Sequence, residues 1–116
     1  MRHLVGLIVM AIALPQAARA ADYAPLNCAK ASTPTELTIC KSYVLGQDEA
    51  RMATLYGIAM SLVAMGQRAE ILEEQRDWLE EREACGATES CLNERYETRI
   101  NELNTVLDEI AKKGPF

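Results

Sequence analysis

Residues 72–107 read LEEQRDWLEEREACGATESCLNERYETRINELNTVL, and their pattern decides the fold. Downstream of Cys91, the residues Leu92, Tyr96, Ile100, Leu103, Leu107 and Ile110 recur at spacings of three and four. That is the apolar stripe of one helix, predicted over about Glu89 to Lys112 and closed by Gly114-Pro115. Upstream, Leu72, Trp78 and Leu79, with Gln75 beside them, mark the inward side of another helix over about Gln67 to Ala84. Gly86 is placed to end it in a left-handed cap, and Thr88 to cap the next one. Between them stand Cys85 and Cys91. Residues six apart in an unbroken helix are separated by ~9 Å along its axis, whereas a disulfide needs Cα atoms within about 7 Å. If these cysteines are bonded, the chain must bend or reverse between them, which predicts an antiparallel helical hairpin.

Two further helices precede the hairpin. Thr33-Pro34-Thr35-Glu36 combines a capping threonine, a proline at the first helical position and a glutamate placed to reach back. It starts a short helix to about Tyr43, with Leu37 and Cys40 inward. Gly46 marks a break, and a second helix is predicted over about Asp48 to Met65. Met52, Leu55, Ala59 and Leu62 form its stripe, widened by Tyr56 and Val63. Gly66 suggests a turn or kink, although the second and third helices could be nearly continuous. No alternating β pattern competes. The fold class is all-α: a small bundle of three to four helices over 33–113, stapled by disulfides and preceded by a segment, 21–32, without periodicity.

The first twenty residues read differently. Arg2 and His3 precede the uncharged run Leu4–Leu14, and Ala18-Arg19-Ala20 offers a small-residue cleavage site. This is the layout of a cleaved signal peptide, residues 1–20. The apolar run is roughly half the ~20 residues that span a bilayer. The protein is therefore expected to be periplasmic or secreted. Pro25-Leu26-Asn27 before Cys28 is no lipobox, so no stable membrane anchor is expected.

Charge narrows the function further. All 17 acidic residues lie after Ala20, whereas Arg2 and Arg19 leave with the leader, so the exported chain is more negative than the −5 of the full sequence. Such a surface repels nucleic acid and attracts basic partners. The only histidine, His3, is lost as well, which removes histidine-based triads and zinc sites. No metal and no cofactor is expected. The four cysteines allow three pairings. Their spacings match neither a redox C-x-x-C nor a zinc knuckle, and the local pairs Cys28–Cys40 and Cys85–Cys91 are favoured. On the chain-entropy model each stabilises by roughly 2–3 kcal/mol.

Specific residues carry a family resemblance. Cys28-Ala29-Lys30-Ala31, then Thr33-Pro34, Glu36 and Ile39-Cys40, resembles the opening of the LprI-type lysozyme inhibitor domain. Leu45, Asp48, Tyr56, Gln75, Trp78 and Leu79 fit its next positions. Arg82, Cys85, Cys91-Leu92, Tyr96, Arg99 and Ile100 fit its last. The resemblance covers 28–103, and Gly46-Gln47 departs from it where helix-favouring residues are expected. It implies a non-enzymatic inhibitor whose partner is a basic, lysozyme-like muramidase. It transfers no contact residues, and fold likeness alone does not carry activity.

Each candidate residue has a plain and a functional reading. Glu70, Glu74, Asp77 and Glu81 follow one another at helical spacing over ~17 Å. They form either a solvated face or a landing surface for a basic enzyme. Thr88, Glu89 and Ser90 belong either to a stapled turn or to a preorganised loop that enters a cleft. Asp48, Gln75, Arg82 and Arg99 read as structural polar residues, with Asp48 expected to pair with Arg82 or Arg99. Trp78 and Tyr96 read as core aromatics. Rival functions are a periplasmic chaperone or acid-stress helper and an immunity protein against a cell-wall-degrading toxin. The oligomeric state is left open.

Overall fold

A computed structural model describes residues 25–114. A 3-10 turn at Cys28–Lys30 leads into four helices: α1 (Pro34–Lys41), α2 (Tyr43–Leu62), α3 (Met65–Ala84) and α4 (Glu89–Lys112). No strand occurs among the described residues, and none of their helices is long and apolar enough to cross a membrane. The expected signal peptide lies outside the described residues, as do residues 21–24 of the segment after it.

The start of α1 is the expected capping box. Thr33 Oγ1 accepts from the Glu36 N–H at 3.1 Å, and Glu36 Oε2 accepts from the N–H groups of Thr33 at 3.2 Å and Ser32 at 2.8 Å. Those donors, Ser32 foremost, hold the Glu36 carboxyl below its ordinary value near 4.5. A depressed carboxylate contributes fully above the ordinary value, and its contribution is lost as pH falls through the folded one. The inward side of α1 differs from expectation. Thr35 and Ile39 are buried, whereas Leu37 is 41% exposed. Thr35 tolerates burial because its Oγ1 donates to Glu83 O at 3.0 Å, tying α1 to the end of α3. A stripe counted on hydrophobicity alone passes over a threonine whose hydroxyl has an acceptor.

The break expected at Gly46 falls instead on Ser42. Its N–H donates to Thr38 O and Ile39 O at the end of α1, while its side chain accepts from the Leu45 N–H at 3.3 Å. One residue thus closes one helix and caps the next. Gly46 donates to Ser42 O at 2.9 Å as an ordinary member of α2. A helical glycine costs roughly 1 kcal/mol, less than the roughly 1.5–3 kcal/mol from fully burying a leucine such as its neighbour Leu45. Similarly, the α2–α3 turn sits at Val63 and Ala64, both extended, and Gly66 lies within α3. The two helices are not continuous. Leu62 and Leu79, expected inward, are exposed, while Ile71 is buried in α3.

α4 matches its expected bounds, and Leu92, Tyr96, Ile100, Leu103 and Ile110 are buried. Its broadest packing is against α2, whose buried residues include Leu45, Met52, Tyr56 and Ala59. Across to α3 the pairs step in opposite directions. Cys85 bonds Cys91, Trp78 Nε1 donates to Arg95 O at 2.9 Å, and Arg99 Nε donates to Gln75 Oε1 at 2.9 Å. The reversal uses Gly86 at φ +57°, and it brings Cys85 and Cys91 to a Cα separation of 5.6 Å. Thr88 occupies the N-cap position of α4, but its side chain makes no capping bond. The other favoured pair, Cys28–Cys40, also forms, at the same Cα separation of 5.6 Å.

The two glycines make opposite predictions. A Cβ at Gly46 meets nothing closer than Ile39 O at 4.0 Å, so Gly46→Ala is expected to stabilise the domain by about 0.5–1 kcal/mol. Gly86→Ala forces an L side chain into the left-handed region and is expected to cost about 1–2 kcal/mol. Urea melts of the two variants should therefore shift in opposite directions.

Candidate functional surface

Two polar systems flank α3, one buried and one open. The buried system is centred on Glu49 of α2. Its carboxylate accepts from Arg82 Nη1 at 3.0 Å, from the Tyr96 hydroxyl, and from the Leu26 N–H at 3.2 Å. Glu49 is 5% exposed and Arg82 7%, so both charges are desolvated and depend on each other. The Arg82 guanidinium also lies 5.6 Å from the Trp78 ring centroid, and Trp78 meets Tyr96 edge-to-face at 5.2 Å. Burial, then the charge of Glu49, pushes the Tyr96 phenol well above its ordinary value, so it remains a hydrogen-bond donor. Gln75, also buried, accepts from Arg99 and donates to Met52 Sδ at 3.2 Å.

This arrangement corrects one expectation. Arg82 pairs with Glu49, not with Asp48, and Arg99 takes Glu74 and Glu102 instead. Asp48 is half-buried on the rim between α2 and α4, beside Arg51, Asn93 and Glu97. The physical reason is the earlier start of α2. Once that helix begins at Tyr43, Leu45, Glu49, Met52 and Tyr56 form its inward row, and Glu49 falls on it at i+4 from Leu45. The signal was present in the spacing, but it required the correct helix start.

The open system is a groove of about 560 Å³ between α3 and α4. Glu74, Asp77 and Glu81 line it from α3, and Arg95, Arg99 and Glu102 from α4, over a floor that includes Trp78. All four carboxylates of the expected stripe are exposed, but they are not equivalent. Glu81 binds Arg95 at 3.3 Å, and Glu74 lies 3.6 Å from Arg99, which also binds Glu102 at 3.0 Å. Glu70 and Asp77 are in no ion pair among the described residues. The stripe is therefore a partly neutralised ridge. Arg95, which the sequence reading did not single out, does half of that neutralising. Glu74 and Glu102 face each other across the groove with Arg99 between them. That filled geometry differs from the open carboxylate pair that flanks a glycosidic bond in a hydrolase.

The ridge runs into the stapled turn, since Glu81 precedes Cys85 by one helical turn. Thr88, Glu89 and Ser90 are all exposed there, and Glu89 stands in the first turn of α4. Charge on the ridge and shape at the turn thus share one end of the hairpin. Among the described residues, no cluster of three or more metal-ligating side chains occurs. The arrangement offers recognition by charge and shape.

A family model described as "Lysozyme inhibitor LprI" matches residues 27–111 of this chain. Neither a curated protein nor a solved structure gives a significant match. The matched span contains all four helices, both disulfides and the Glu49–Arg82 pair, apart from the last residue of α4.

The buried pair supplies a paired prediction. Glu49→Ala leaves Arg82 buried without its counter-charge and is expected to cost about 3–5 kcal/mol. Asp48→Ala is expected to stay within about 0.5 kcal/mol of the parent. Thermal or urea unfolding of the two neighbouring variants distinguishes them. Equal effects would contradict the network as described.

Proposed function

The chain belongs to the LprI lysozyme inhibitor family, and from that premise we propose that it is an exported, non-catalytic protein that binds lysozyme-like muramidases and blocks their cleft. The family match over 27–111 carries the reading. The geometry described above supports it. An exposed carboxylate ridge on α3 suits a basic enzyme, and a turn closed by Cys85–Cys91 presents Thr88, Glu89 and Ser90 with little ordering cost on binding.

In this reading the two parts act differently. The ridge accelerates encounter, because complementary charge acts mainly on the association rate. Glu70 and Asp77 contribute most, since Glu74 and Glu81 already have arginine partners. The stapled turn then fills part of the sugar-binding groove. Glu89 offers a carboxylate acceptor to donors that otherwise hold substrate hydroxyls. Export places the protein where peptidoglycan-cleaving enzymes act, and its disulfides suit an oxidising compartment.

Titration into a lysozyme turbidity assay tests the proposal. Stoichiometric inhibition that weakens with added salt is the expected result. The double variant Glu70→Lys/Asp77→Lys should lower the association rate on the order of tenfold at low salt. Glu89→Lys should act chiefly on dissociation. No inhibition of any muramidase would reject the function. Protection of aggregating proteins at low pH, or tight binding to a cell-wall amidase, would then favour the chaperone or immunity reading.

A further inference from the structure

On the other side of α3 from the ridge lies a second pocket, open to solvent and of about 430 Å³, bordered by residues 25–30, α2 and α3. Its size falls within the range of small-molecule sites, about 300–1,000 Å³. Leu26, Met52, Leu72 and Leu79 give it apolar walls. Leu79 is 37% exposed despite its size, and that exposure belongs to this pocket wall.

The charges around this pocket run against those of the whole chain. Three cations line it, Lys30, Arg76 and Arg82, with Glu49 as the one carboxylate. The protein overall carries 17 acidic and 12 basic residues. Glu49 is already engaged by Arg82, Tyr96 and the Leu26 N–H. Lys30 and Arg76 are in no ion pair among the described residues. Arg82 Nε is buried and donates to no acceptor among them. Apolar walls and two uncommitted cations are the complement of one kind of ligand.

We propose that this pocket binds a single-chain amphipathic anion, with its hydrocarbon against Leu26, Leu72 and Leu79 and its acidic head at Lys30 and Arg76. A free fatty acid and a single-chain anionic phospholipid share this chemistry. The assignment is independent of muramidase binding, which uses the α3–α4 side. An exported protein with such a site would carry lipid-derived acids or respond to their release.

Titration calorimetry on the purified protein, with probes below their micelle concentrations, tests this directly. Dodecanoate and lysophosphatidylglycerol are the two source arms, with dodecanol and dodecyltrimethylammonium as controls. Saturable one-to-one binding of either anion is expected, at least tenfold tighter than either control. The arm that binds identifies the source. The exposed substitutions Lys30→Glu/Arg76→Glu should weaken binding at least tenfold, and Leu79→Asp should abolish it, without changing the unfolding midpoint by more than a few degrees. Failure of both anions, equal binding of the controls, or binding unaffected by these variants overturns the proposal. So does self-association abolished by Leu79→Asp without uptake of either anion, which would assign the wall to a second copy.

Discussion

The ion pair between Glu49 and Arg82 constrains how α2, α3, α4 and the segment before α1 meet one another. Its carboxylate takes donors from the N-terminal segment, α3 and α4 while standing on α2. Removing two such charges from water costs several kcal/mol per ion. The pair is tolerated only where geometry and additional hydrogen bonds are good. A one-residue shift of any contributing helix would strand a charge in a dry interior, and register follows from that penalty. The Trp78 ring beneath Arg82 and the Tyr96 hydroxyl opposite Glu49 are parts of the same solution.

The two disulfides do something else. Each joins near neighbours in the chain, so neither holds distant elements together. Cys85–Cys91 secures the reversal between α3 and α4, and Cys28–Cys40 secures the 3-10 turn to α1. A domain of this size buries a smaller share of its surface than a large one, and short covalent loops relieve that shortage at its ends. They also stiffen the two surfaces with functional potential. The turn at 85–91 is one, and the segment that borders the second pocket is the other.

The faces of α3 divide the labour. One side carries Glu74, Asp77 and Glu81 toward α4, where arginines moderate an otherwise strong negative field. The other carries Leu72, Arg76 and Leu79 toward the N-terminal segment, where the local charge is positive. A composition-level description of an acidic protein holds for the first side and fails for the second. Charge acts over a Debye length of roughly 8–10 Å. A ligand therefore responds to the residues within that distance more than to the sum over the chain.

Several features were legible in the residue order because they are local. The bounds of α4 followed from spacings of three and four, the capping box from Thr33 and Glu36, and the reversal from the reach of a disulfide between Cys85 and Cys91. Cap chemistry, helical period and covalent length operate within a few residues, so no partner is needed to read them. What tertiary structure decided was every choice that depends on a distant partner. Gly46 stays helical because Leu45 before it and Glu49 after it are buried. Thr35 goes inward because Glu83 O awaits it, Leu37 turns outward, and the counter-charge of Arg82 is Glu49 rather than its neighbour Asp48. A glycine's cost, a threonine's polarity and an acid's burial are each unfavourable in isolation. Only contacts made across the fold, between residues far apart in sequence, reverse their signs.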